Sequence, residues 1–143
     1  MTAHDYFRDV RRAARDLAAL DERLETMHEP RISSPLASGS GGGDPMARYD
    51  AAVDAEPGLL RHKYELEGAL DDARLVIAGI GAELGYRVEL ALTLHYLRSC
   101  TWEDVGFELH ASLSTCYRWR RSAFDLYESR GHAALRDAGV GKS

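Results

Sequence analysis

The sequence predicts an all-α protein: an N-terminal helical hairpin with coiled-coil-like heptad patterning, followed by a C-terminal helix-turn-helix domain. Three observations carry this. Apolar residues recur at helical spacing along most of the chain, and no stretch alternates apolar and polar as a half-buried strand does. The apolar residues are mostly Ala and Leu, with only 3 Phe and 4 Pro in 143 residues, a composition that suits helices. Finally, Thr101 to Phe124, TWEDVGFELHASLSTCYRWRRSAF, reads as two helices joined by a short polar turn. A chain of this length has room for one domain, or for a small domain with a helical extension. The expected division is a hairpin and oligomerisation region over 1–84 with a flexible loop at 29–44, the helix-turn-helix domain over 85–131, and a tail over 132–143.

The first helix is expected over Ala3 to His28, with Thr2 capping its start and Pro30 stopping it. Tyr6, Val10, Ala13, Leu17, Leu20, Leu24 and Met27 are spaced alternately by four and three, an a/d heptad seam. Arg11, Arg12, Arg15, Asp16, Glu22 and Arg23 lie off it. From Glu29 to Asp44 glycine, serine and proline predominate, which predicts a loop. Its Gly39 and Gly41 to Gly43 do not make a phosphate-binding loop, for no GK[ST] follows and no strand precedes. A short helix is expected from Asp44 or Pro45 to Ala55. Pro57 then suits the first turn of a new helix reaching Leu84. Leu59, Leu66, Leu70, Ala73, Ile77, Ile80 and Leu84 keep heptad spacing there, broken once at Lys63. The two seams can close within one chain as an antiparallel hairpin or between chains. A lone two-helix hairpin buries little area, so a homodimer or higher homo-oligomer is expected.

Gly85 marks a bend. Arg87 to Arg98 reads as a helix with Val88, Leu90, Ala91, Leu92, Leu94, His95 and Leu97 nearly encircling it, so it should be buried beneath the elements that follow. His95 reads as an interior or boundary histidine. The next helix should run from Trp102 to Leu109, capped by Thr101, with Glu103 and Asp104 in the first turn where the helix dipole favours them. Gly106 costs that helix about 1 kcal/mol against alanine, which a close helix crossing would explain. His110 to Leu113 form the turn, and Ser112 or Ser114 can cap the second helix. Its inner set is Cys116, Trp119 or Tyr117, Ala123 and Phe124. A last short helix is expected over His132 to Asp137, and Gly139 to Ser143 should fray.

The chain is acidic, with a formal net charge of −5, which disfavours indiscriminate nucleic-acid binding. The second helix of the pair is the exception: it carries Arg118, Arg120 and Arg121, with no acid from Leu113 to Phe124. The N-terminal part of such a helix can enter the major groove. Ser and Thr there can reach phosphate or base edges, and Arg can pair with guanine or phosphate. The candidate DNA-contacting residues are therefore Leu113, Ser114, Thr115, Tyr117, Arg118, Arg120 and Arg121. The alternative is a helical pair whose arginines are only a solvated face. Cys100 and Cys116 read as small core residues; with His95 and His110 they lack the CxxC spacing of a zinc site, so no metal and no cofactor are expected. No catalytic pairing of carboxylates, or of Ser with His and Asp, stands out, and no enzyme is expected. His4, His28, His62 and His132 read as surface residues. With no signal peptide or spanning apolar run, a reducing cytoplasmic setting is expected.

Trp102-Glu103-Asp104-Val105, Leu109, Ser112, then Ser114 to Arg118 and Ala123-Phe124 resemble the fourth-region helix-turn-helix of sigma factors. More closely, the pattern resembles small phage transcriptional regulators of the ArpU/RinA type. The resemblance extends to Asp5-Tyr6, the Ser33 to Asp44 loop, the Tyr49 to Asp54 helix and the long helix from Pro57 to Leu84. It is weakest after Gly131. Departures are Gly106 where Ala is usual, Cys116 where Val is usual, and His110 to Ser112 where a glycine often opens the turn. The resemblance implies control of phage late or packaging genes by binding promoter-region DNA, and a sigma-like use would add RNA polymerase as a partner. Two other readings remain: a small terminase-like DNA-packaging subunit, and a protein-interaction module without a DNA role.

Overall fold

Gly85, Gly131 and the segment between residues 97 and 102 divide the C-terminal half into short helices that pack on two long ones. The computed structural model describes residues 1–28 and 45–142, with side chains over 1–26 and 57–141. The side chain of Met27, of the expected seam, and the expected loop at 29–44 lie outside what is described. The elements are α1 (Ala3–His28), α2 (Pro45–Leu84), α3 (Tyr86–Leu92), a π-helical turn (Thr93–Leu97), α4 (Trp102–Leu109), α5 (Leu113–Arg130) and α6 (His132–Lys142). Among the described residues there is no strand, so the all-α class holds.

Local chemistry accounts for most boundaries. Thr2 Oγ1 accepts from the Asp5 amide at 3.1 Å and caps α1. Gly85 breaks α2 from α3 at φ 106°, which an L side chain would resist. One boundary differs from expectation: α2 is continuous from Pro45, with Pro57 inside it. Proline's φ is already helical, so the helix loses one hydrogen bond there without having to stop. The helix expected over Arg87 to Arg98 is α-helical only to Leu92 and then widens into the π-helical turn. The Arg98 amide donates to Thr93 O at 3.1 Å.

α1 runs antiparallel to α2, for Tyr6 hydrogen-bonds Asp72 at 2.9 Å and Lys63 pairs with Asp21 at 3.0 Å. The buried face of α1 is Ala3, Phe7, Val10, Ala14, Leu20 and Leu24. In its first half Val10 keeps the expected seam, but on either side of it Phe7 and Ala14 are buried where Tyr6 and Ala13 are half-buried. A heptad assumes a single partner, but this end of α1 meets α2, α5 and the π-helical turn at once.

α2 has a partner that its heptads do not announce. α6 covers it more extensively than α1 does. Val76, off the seam, is therefore as buried as Ile77 and Ile80. The segment expected to fray is helical to Lys142, and Gly139 is buried. A Cβ on Gly79 would stand 1.9 Å from Leu135 O, and one on Gly139 would stand 1.8 Å from Leu75 O. The two backbones thus touch at reciprocal points one helical turn apart. Read singly, glycine marks a helix end or a weak helix; here each missing side chain is the space the other helix fills. One apolar cluster joins residues of α1, α2, α3, α4, α5 and α6. The expected boundary at 84–85 is accordingly a bend within one core. Among the described residues, no helix is long and apolar enough to cross a membrane.

Candidate functional site

The α4–α5 pair is built by side chains close in sequence. Thr101 Oγ1 accepts from the Asp104 amide at 3.1 Å and starts α4. His110 ends it in the left-handed conformation, φ 53°, and the Ala111 amide returns to Gly106 O at 2.9 Å. Ser112, the first of the two candidate caps, accepts from the Thr115 amide at 3.1 Å and starts α5. A Cβ on Gly106 would lie 2.6 Å from Ala111 O and 3.7 Å from Cys116 Sγ. The glycine does have a packing reason, though its tightest neighbour is the carbonyl of the turn and not the crossing helix. Trp102, Val105, Cys116 and Ala123 are buried between the helices, with Trp119 and Phe124 half-buried. From α3, the Arg87 guanidinium lies 5.5 Å from the Trp119 ring centre and also bonds Leu109 O.

The seven candidate contact residues separate into two groups. Leu113, Ser114, Tyr117, Arg118 and Arg121 are exposed, and Thr115, engaged with Ser112, is half-buried. Ser114, Tyr117, Arg118 and Arg121 line a shallow concavity of about 300 Å³. Arg120 turns aside: its guanidinium lies 5.2 Å from the Tyr117 ring centre and 6.0 Å from that of Trp102. Such cation–π seating keeps the charge while fixing the side chain. Among the described residues, none of the three arginines forms an ion pair.

Behind this face, His95 stacks on Trp102 with ring centres 4.0 Å apart and 16° between planes. Its Nδ1 lies 2.8 Å from Cys100 O. A carbonyl can only accept, so Nδ1 carries the hydrogen. Burial, followed by the nearby Arg11 charge, pushes the His95 pKa down to about 4, and Arg120 and Arg15 act in the same direction. Arg11 donates to His95 O at 3.2 Å and to Ser99 O at 3.5 Å. The fold therefore gathers arginines of α1 and α5 around one imidazole. The sequence reading placed the α1 arginines only off the seam. The signal within reach was Arg11 and Arg15 at i and i+4, neighbours on one face of a helix.

A second polar cluster centres on Asp72. Its Oδ2 accepts from Tyr6 OH at 2.9 Å and pairs with His132 Nε2 at 3.0 Å, and its Oδ1 accepts from Arg136 Nε at 2.8 Å. Tyr127 OH lies 3.0 Å from His132 Nδ1. Burial, reinforced by Asp72, raises the Tyr6 pKa. His132, expected on the surface, is half-buried in this network because α6 folds back onto α2. The cluster ties α1, α2, α5 and α6 together. Cys116 is fully buried and Cys100 half-buried, and both are free thiols.

No family model, curated protein or solved structure matches this chain. The functional reading consequently rests on the geometry above and on the pattern of residues 101–124.

Proposed function

We propose that the protein is a sequence-specific DNA-binding transcriptional regulator of phage or prophage genes, with α4 and α5 as its helix-turn-helix. The carrying observation is the exposed arginine face on the capped N-terminal half of α5, beside Ser114 and Tyr117, with no ion pair among the described residues. In a helix-turn-helix this half of the second helix enters the major groove. Arg118 and Arg121 would contact phosphate or guanine there, while Arg120, held over two rings, would contribute charge from a fixed position. The late or packaging operon as target follows from the resemblance to ArpU/RinA-type regulators. Homodimerisation would double the phosphate contacts and read two half-sites.

The test is binding of the purified protein to duplexes from its own genomic neighbourhood, at two salt concentrations and with competitor DNA. Tight, salt-sensitive binding to one segment, lost in an Arg118→Ala/Arg121→Ala variant, is the expected result. Failure to bind at low salt would overturn it. One observation favours a protein-docking role instead: Phe107 on α4 is 81% exposed. Under that reading the arginine substitutions leave partner binding unchanged and Phe107→Ala removes it.

A further inference from the structure

We infer that α1 is a second DNA-contacting element, in which Arg12 and Arg15, with Arg11 beside them, hold the phosphate backbone alongside the groove that α5 enters. The inference rests on the DNA-binding reading of α5 and extends it to a helix that neither the motif nor the resemblance assigns to DNA.

Position comes first. α1 and α5 run antiparallel: the Ala3 amide donates to Glu128 at 2.7 Å, and Phe7 stacks on Phe124 with ring centres 5.2 Å apart. One turn further along α1, Arg11 reaches the π-helical turn, whose His95 stacks on Trp102 beneath Arg120. Both helices rise about 1.5 Å per residue. Arg15, on the next turn of α1, lies close enough to His95 to act on its charge, as Arg120 of α5 does, so this stretch of α1 shares that imidazole with the arginine-bearing half of α5.

Charge comes second. Arg8 is compensated, lying 3.3 Å from Asp5 and 3.4 Å from Asp9. Arg12 and Arg15 are exposed and form no ion pair among the described residues. Arg11 spends its hydrogens on two carbonyls, which are neutral, so its charge also stands uncancelled. Arg8, Arg11, Arg12, Arg15 and Asp16 line an open concavity of about 500 Å³. In a chain of net charge −5, this places a positive surface on α1 beside that of α5. Two adjacent helices bearing repeated guanidinium groups complement a polyanion of regular charge spacing, and duplex DNA is the one that α5 is built to meet.

The experiment measures affinity for a short random-sequence DNA duplex over a range of salt, so no operator is needed. It compares the full chain with Arg12→Gln/Arg15→Gln, with Arg118→Gln/Arg121→Gln, and with the surface control Arg74→Gln. Thermal melting confirms that each variant is folded. Losing two phosphate contacts should flatten the slope of log K against log salt by about 1.8. A fourfold rise in salt then costs the α1 variant about tenfold less affinity than it costs the parent. If the α1 variant keeps the parent slope, as Arg74→Gln should, while the α5 variant loses it, the role of α1 is overturned and the DNA-binding reading stands. If the parent itself binds no duplex at low salt, both fall together.

Discussion

The α4–α5 pair and the α2–α6 pair are both contacts between helices, held by opposite means. α4 and α5 owe their positions to side chains that are present. Thr101 and Ser112 each cap an amide three residues on, and His110 turns the chain between them. α2 and α6 owe theirs to side chains that are absent: Gly79 and Gly139 let each backbone press against a carbonyl of the other. The first device orients a helix that points polar groups outward. The second makes a close backbone contact, and α5 is tied to it through α1 and α6 at Glu128, Tyr127 and His132.

Five substitutions break or sharpen this contrast, in descending order of effect, with Gly68→Ala as the control for Gly139→Ala. Phe7, fully buried, ties α1 to α5 and the π-helical turn by packing on Phe124, Tyr96 and Tyr127. Phe7→Ala should cost about 3–5 kcal/mol in urea unfolding; a loss near 1 kcal/mol would mean that α5 is held to α1 elsewhere. Gly139→Ala comes next. Alanine favours a helix by about 1 kcal/mol over glycine, but its methyl would overlap Leu75 O, so a net destabilisation of about 2–3 kcal/mol is expected. Gly68→Ala in α2, with nothing within 4 Å, should instead stabilise by up to about 1 kcal/mol. Should both alanines act alike, the close approach of α6 to α2 is wrong.

His95 gives a pH test at the seam between α1 and α4. Its folded pKa is depressed from 6.5 to about 4, so the unfolded chain binds the proton more readily. Its contribution is intact above about pH 6.5 and is lost as pH falls toward 4. The loss is on the order of 2 kcal/mol, discounted for partial exposure. A His95→Gln variant should lack that slope, and an unchanged difference between the two proteins from pH 7 to 4 would refute the buried neutral imidazole. The smallest effect is Ser112→Ala, expected to cost about 1 kcal/mol through the α5 cap. Its lesion is local: hydrogen exchange should rise at the amides of Ser114 and Thr115 and stay unchanged across α6.

The α4–α5 unit was legible because its determinants are near neighbours. Thr101, Ser112 and the Glu103-Asp104 pair act within one turn, and the limits of α4 follow from them. The N-terminal limit of α1 was legible for the same reason. The inward faces were less so. Phe7 and Val76 lie off the heptads because α1 and α2 each meet several partners, and a seam records only one. Arg120 was grouped with Arg118 and Arg121, but the rings of Trp102 and Tyr117 draw it aside.

By itself the sequence determined the helical class, the bend at Gly85, the start of α1 and the capped pair that presents Arg118 and Arg121. Each depends on backbone preference, capping or periodicity, which act over a few residues. Tertiary structure alone decided that α6 continues to Lys142 against α2, that His132 joins Asp72 and that Arg11 reaches His95. A glycine's missing Cβ and an arginine's reach have no fixed meaning along the chain; they acquire one only when a distant backbone arrives within a few ångströms.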